Sequence, residues 1–176
     1  MSTKVFYAMV WTICGVVFQL VLFFSGFQTE KLATGKYLQY FGLVIAATVL
    51  WFGIKAVRDE ARDQPPTYGQ RVGAGVLISL YAGLMSAVYT WFHYTFVNVN
   101  FADYTISSLR EQWAAKGLAA SQMDVAEKVT RTLLRPEVQA VLVPVFSVLI
   151  GLVLSLIIAA LLAPKPADAS AAPAAQ

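Results

Sequence analysis

An all-α integral membrane protein, a bundle of four transmembrane helices, is the fold class predicted for this chain, and three observations predict it. Four long apolar stretches run Val5–Phe27, Tyr37–Val57, Val72–Val97 and Val138–Leu162. Each has about the 20 residues that a helix rising 1.5 Å per residue needs to cross roughly 30 Å of hydrocarbon. None carries a carboxylate in its interior. The composition agrees: 58% of the 176 residues are hydrophobic and 13% charged, against roughly 45–50% and 25% in a soluble domain. One membrane domain with loops and two tails accounts for this length.

The first stretch is read as a retained span. It is longer than a secretory signal core of about 7–15 residues and lacks an Ala-x-Ala-like cleavage site. Cys14 lies within it beside Ile13 and Val16; as the one cysteine it closes no intramolecular disulfide and behaves as a small hydrophobe. Gln19, near the middle of the span, needs an interhelical partner for its amide and reads as bundle glue ahead of a substrate ligand. The connection Gln28–Lys36 is short and contains Gly35, which predicts an antiparallel hairpin of spans one and two.

Span two ends with Lys55 and Arg58, three residues apart on one face. They can snorkel to headgroups and favour the helix C-terminus, with a lipid phosphate or Asp63 as a further partner. The next connection carries the run Arg58-Asp59-Glu60-Ala61-Arg62-Asp63 and then Pro65-Pro66, which cannot continue a helix. Thr67 is placed to cap the helix that becomes span three. Gly69 and Gly73 are packing residues at that helix start, because no Lys-Ser or Lys-Thr follows them as a phosphate loop requires.

Span three contains Gly75, Ser79, Gly83 and Ala87, each four residues apart, and span four repeats the spacing with Ser147, Gly151, Ser155 and Ala159. Small residues at this interval form a groove through which backbones approach in lipid. The two grooves either face each other, the preferred reading, or serve a second protomer. Tyr89, Trp91, Phe92, Tyr94 and Phe96, with Phe101 and Tyr104 beyond, read as a headgroup-level aromatic belt. His93 lies inside that belt. A proton-relay role is the sharp alternative, but with no carboxylate in any span the plainer reading is an imidazole meeting water or a loop carbonyl.

The loop Asn98–Glu137 is predicted to be a pair of amphipathic helices covering the bundle or lying on the bilayer. Phe101, Tyr104, Leu109 and Trp113 share one face before Lys116-Gly117 ends the first helix. Ser121-Gln122-Met123-Asp124 has the form of a capping box opening the second, whose stripe is Met123, Ala126, Val129, Leu133 and Leu134 and which Pro136 ends. Residues 164–176 are rich in Ala and Pro and read as a disordered tail.

Lys4, Lys55, Arg58, Arg62, Arg71 and Lys165 fall on one side, against Lys31, Lys36, Arg110, Lys116, Lys128, Arg131 and Arg135 on the other. The first group packs closer to span ends, which predicts cytoplasmic termini. The net charge of +3 suits anionic headgroups, and no basic run is dense enough for nucleic acid. Membrane lipids are the expected partners, with a homo-oligomer or another membrane protein as further options.

No cofactor fingerprint, metal-ligand cluster or catalytic constellation stands out. Asp103, Glu111 and His93 lie near span ends without a spacing that makes an acid–base pair. The leading expectation is a non-enzymatic structural, assembly or interaction component; the alternative is a small oligomeric transporter or channel, although the halves show no internal repeat.

Five stretches occur in order: Gly53-Ile54-Lys55 with Arg58, Tyr68-Gly69-Gln70 with Gly73, Phe96-Val97-Asn98, Lys116-Gly117 leading to Ser121-Gln122-Met123, and Leu154-Ser155-Leu156-Ile157-Ile158-Ala159. Together they resemble a family of small bacterial membrane proteins known as domain of unknown function 4199. Val99-Asn100 departs from the acidic or Pro-Asp pair typical of that family. The resemblance implies four spans in a bacterial inner membrane and no established activity.

Overall fold

The computed structural model describes residues 1–61 and 64–162; the expected tail, Arg62, Lys165 and the Asp63 partnership lie outside them. The described residues form helices and no strands: α1 (Thr3–Phe24), α2 (Leu32–Leu38), α3 (Phe41–Glu60), α4 (Tyr68–Phe92), α5 (Phe101–Ala115), α6 (Ala120–Leu133) and α7 (Pro136–Leu161). Four runs are long and apolar enough to cross a membrane: Thr3–Phe24, Leu32–Glu60, Tyr68–Val97 and Pro136–Leu161.

The first connection differs from the expectation. Gly26 makes its turn in the left-handed region at φ 79°, where a side chain would be strained. Gly35 instead lies within α2, buried against the Phe27 carbonyl so closely that a Cβ would overlap it. Helix therefore resumes at Leu32, five residues before the predicted span, because Lys31 and Lys36 turn outward over the rings of Phe27 and Tyr37 at 5.8 and 5.1 Å. Charge at a helix start does not break the helix when the side chain can leave the apolar zone.

At the other end of this hairpin the Thr3 hydroxyl bonds the Glu60 carboxylate, tying the start of α1 to the end of α3. Thr67 caps α4, its hydroxyl accepting from Gln70 N–H at 3.3 Å while Gln70 Oε1 accepts from Thr67 N–H at 2.8 Å. This reciprocal arrangement satisfies two otherwise free donors. It starts α4 four residues before the apolar stretch.

α4 occupies the middle of the bundle. It packs along its length on α7 and also touches α1 and α3. The two small-residue grooves face each other: a Cβ on Gly75 would overlap the Ser155 hydroxyl, one on Gly151 would overlap Ser79, and one on Gly83 would meet Pro144 Cα at 2.8 Å. Gly53 brings α3 onto Ile78 and Tyr7 in the same way, at 2.8 and 3.2 Å. Ala8, Leu50, Ile54, Ile78, Ala82, Ile158 and Leu162 complete the core. Outward, Ile13 and Val17 on α1 and Val141, Val145, Leu149 and Val153 on α7 are exposed. A bundle solvated by lipid tails has no reason to hide such residues.

α5 and α6 form a hairpin at the end opposite the chain's start. Gly117, at φ 74°, closes α5 with Gly117 N–H donating to Ala114 O at 2.9 Å and Leu118 N–H to Trp113 O at 3.1 Å, the paired bonds of a Schellman cap. The expected capping box at Ser121 is displaced: α6 begins at Ala120, and Gln122 Oε1 reaches back to Ala119 N–H at 3.1 Å without a reciprocal side chain, since alanine has no acceptor. The expected α6 stripe is also split. Met123, Ala126 and Leu134 are half-buried while Val129 and Leu133 face out, because Glu127 turns toward α5 to meet Arg110 at 2.6 Å. Pro136 does not end α6, which stops at Leu133; it occupies the first turn of α7, where its missing N–H costs nothing.

Candidate functional site

The helices pack tightly at one end, the closed end, beside which a groove of about 570 Å³ runs past Lys4, Gln64 and Gly73, and they splay at the other, the open end. At the closed end the glycine contacts hold α3, α4 and α7 together, and Arg71 seals the seam. Only 4% exposed, Arg71 donates from Nε to Ala159 O at 3.2 Å and from Nη1 to Pro66 O at 2.6 Å. Its position in the sequence groups it with the basic residues near span ends, but it serves as a clamp on the last turn of α7, whose free carbonyls need donors.

Toward the open end a cavity of about 510 Å³ lies among α1, α3, α7 and the end of α4. Its polar lining is Gln19, Gln39, Gln139 and Tyr94, and Phe101 covers it. Gln19 Nε2 donates to Tyr94 Oη at 3.1 Å. Gln139 Nε2 donates to Leu133 O at 2.7 Å, fastening α7 to the end of α6. The Tyr94 and Phe101 rings stack at 4.5 Å, so the first residue of α5 roofs the cavity. A second cavity of about 310 Å³ continues between α3 and α7, and a third of about 230 Å³ runs beneath α5 past Lys36, Thr105 and Ser108. Gln39 lines all three.

Beside this cleft lies a chain of buried polar groups. His93 is 0% exposed, Gln28 1% and Asn98 3%. His93 meets a carbonyl of the first connection and one further partner: Nε2 lies 3.2 Å from the side-chain oxygen of Gln28, and Nδ1 3.1 Å from Tyr89 Oη. With the Gln28 oxygen accepting, Nε2 carries the proton and Nδ1 accepts from the tyrosine hydroxyl, an assignment made from the network. Asn98 Nδ2 adds a donor to Gln28 O at 3.4 Å. The burial follows from a π-helical turn over His93–Val97, closed by Asn98 N–H on His93 O at 2.7 Å. A wide turn of this kind inserts a residue into the helix, and here consecutive His93 and Tyr94 both face inward. The aromatic belt is accordingly divided: Trp91, Phe92 and Phe96 face out, while the hydroxyls of Tyr89 and Tyr94 pair with His93 and Gln19.

Gln19 and His93 are thus at the same end, joined through Tyr94, whose ring lies 5.2 Å from the imidazole. Lys55 and Arg58 are at the closed end, Lys55 exposed and Arg58 paired with Asp59 at 2.8 Å; they contribute nothing to the cleft. Cys14 is exposed on α1. Sequence reasoning missed Gln28, Gln39, Gln139, Asn98 and Arg71. Gln39 and Gln139 had a signal, since each lies within a turn of the same-side end of a predicted span, as uncharged amides that need partners in lipid.

The hairpin above the cleft is held by charge. Arg110 meets Asp124 at 2.9 Å and Glu127 at 2.6 Å; Arg131 meets Glu127 at 2.8 Å and Asp103 at 2.7 Å. Hydrogen bonds donated by Arg131 and then Arg110 lower the Glu127 pKa, and the bonds that Arg131 donates to Asp103 and Glu127 raise its own. Among the described residues no group of three or more His, Cys, Asp or Glu could hold a metal ion. The cleft itself offers amides and a phenol, which donate and accept hydrogen bonds without carrying charge.

A protein-family model described as "Protein of unknown function (DUF4199)" matches residues 7–163. No curated protein and no solved structure matches the chain.

Proposed function

The chain belongs to the DUF4199 family, and on that premise we propose that it is a non-enzymatic structural, assembly or interaction component of the bacterial cytoplasmic membrane. It crosses the bilayer four times with both termini in the cytoplasm and works through contacts with lipid and with other membrane proteins. The observation that carries this reading is His93. It is wholly buried and both ring nitrogens are held, by Tyr89 and Gln28, so it ties the α1–α2 turn to the end of α4. The orientation is supported by Lys4, Lys55 and Arg58, which lie close to span ends at the closed end, while Arg110 and Arg131 sit on the hairpin away from the span ends. Basic residues close to span ends set topology.

The cleft favours one second reading, a small oligomeric transporter or channel, because it leads inward from the open end past Gln19 as far as Trp11. Purification of the tagged protein in mild detergent separates the two. A partner at fixed stoichiometry supports the assembly role, and a homo-oligomer that conducts solute in liposomes supports transport. Topology is read from Ser121→Cys in a Cys14→Ser background: labelling by an impermeant thiol reagent from outside supports cytoplasmic termini, and labelling only after lysis refutes them.

A further inference from the structure

We propose that the cleft at the open end is a binding site for a membrane amphiphile with a small uncharged hydrogen-bonding head. Gln19, Gln39, Gln139 and Tyr94 hold the head, and the tail leaves sideways between α3 and α7. This goes beyond the interaction reading and stands whichever protein, if any, the chain assembles with.

The polar groups ask for an occupant. Among the described residues the Gln19 Oε1 oxygen and the Tyr94 hydroxyl proton have no hydrogen-bond partner in the protein, although both side chains line the cavity, and the exposed Gln39 amide at its mouth is open to an occupant. An amide without a partner at membrane depth is costly. The same lining sets the class of head. No Asp, Glu, Lys, Arg or His borders the cavity of about 510 Å³, so a bare charge would enter without a counter-charge, whereas a carbonyl or hydroxyl finds both donors and acceptors.

Shape supports a tailed ligand. The first and second cavities share Trp11, Gln39, Gly42 and Gln139, and the second continues past Leu142 and Phe146. Phe146 and Leu43 are 55% and 43% exposed, so the lips of this opening face the lipid. A volume of about 510 Å³ lies in the range of about 300–1,000 Å³ usual for small-molecule sites.

Two glycines supply an independent observation. Gly53, Gly75, Gly83 and Gly151 are each required by a neighbour that a Cβ would strike, but a Cβ on Gly15 or Gly42 would meet nothing within 4 Å. Gly15 lies in the interior of α1 and Gly42 in the first turn of α3, and both line the cavity. Glycine weakens a helix interior, and what these two provide is room inside the cleft. Gly73 is equally uncrowded and lines a separate groove of about 570 Å³ near the start of α4, at the other end of the bundle, so it serves as the control for a glycine outside this cleft.

Isoprenoid quinones and diacylglycerols share the required chemistry, an uncharged carbonyl-bearing head on an apolar tail. Delipidated protein in detergent is titrated with a short-chain isoprenoid quinone, a brominated diacylglycerol and a brominated phosphatidylglycerol. Quenching of tryptophan fluorescence is read, since Trp11 lines the first two cavities. The expected result is saturable quenching by one or both neutral probes, which also identifies the source. It should be lost in Trp11→Phe, weaken at least ten-fold in Gly42→Leu and Gln19→Leu, and remain unchanged in Gly73→Leu. Quenching that rises linearly with probe, that is unaffected by Gly42→Leu, or that saturates only with phosphatidylglycerol overturns the proposal. Should Gly42→Leu fail to fold, Gly42→Ala makes the same comparison at smaller amplitude.

Discussion

Gly151→Ala is the substitution that tests the α4–α7 seam most directly. The new Cβ would overlap both the hydroxyl and the Cβ of Ser79. Ser79 cannot turn away freely, because its hydroxyl donates to Gly75 O at 2.9 Å. Carbon atoms rest at about 3.5–4.0 Å, so the helices must part along a contact that extends to Gly83 and Pro144. Overpacking of this kind costs about 1–3 kcal/mol, while alanine regains about 0.5–1 kcal/mol of helix stability over glycine. The expected net loss is about 1–2 kcal/mol, read from reversible unfolding in mixed detergent micelles by circular dichroism. Ser79→Gly should restore the room and recover most of the loss in the double variant, whereas Ser79→Ala should not, since it keeps the offending Cβ. The oligomeric state should stay the same, because this seam lies within one chain. A Gly151→Ala protein as stable as the parent, or a double variant no better than the sum of its parts, would refute the account of the seam.

Four further expectations come from the same contacts. Ser155 Oγ is buried without a partner among the described residues, so Ser155→Ala should be neutral or raise stability by up to about 1 kcal/mol, measured by the same unfolding assay. His93→Ala leaves the Gln28 oxygen and the Tyr89 hydroxyl buried and unpaired, and should cost about 1–3 kcal/mol; an unchanged midpoint would return His93 to the aromatic belt. Arg71→Ala should lose a similar amount by freeing the Ala159 and Pro66 carbonyls, and Arg71→Lys should recover little, because an ammonium lacks the guanidinium fork that reaches both. The pH dependence follows from Glu127, whose pKa is lowered in the folded hairpin. Its contribution is present above the unfolded carboxylate pKa and is lost as pH falls through the lower folded value. Near-ultraviolet dichroism should show the hairpin loosening on acidification below the usual carboxylate range, and Glu127→Gln should abolish that step.

Much of the helical plan was legible along the chain. Apolar length located the four long helices to within five residues at their starts, and Thr67 and Gly117 terminate helices where their chemistry places them, a hydroxyl that accepts from a free N–H and a residue that tolerates positive φ. Lys31 and Lys36 misled the reading, since charge and glycine near an apolar run resemble a loop, yet Gly35 is buried where α2 passes the Phe27 carbonyl. Ser121 misled it in the same way, because a capping sequence competes with its neighbours for the first turn and Ala119 took the position.

The candidate site was far less legible, and the reason lies in the solvent. A helix in water declares its inner face by its polar outer one, but in lipid both faces are apolar, so hydropathy reports a span without its rotation. Composition and periodicity by themselves determined the helical class, the order and approximate length of the spans, and the amphipathic pair between the third and fourth. Only the tertiary structure decided that the small-residue grooves meet each other, that Arg71 is a clamp, and that the π-helical turn brings His93 and Tyr94 inward. It also decided that Gln19, Gln39 and Gln139, 120 positions apart from first to last, line one cleft, because that convergence depends on how four helices rotate and splay against one another.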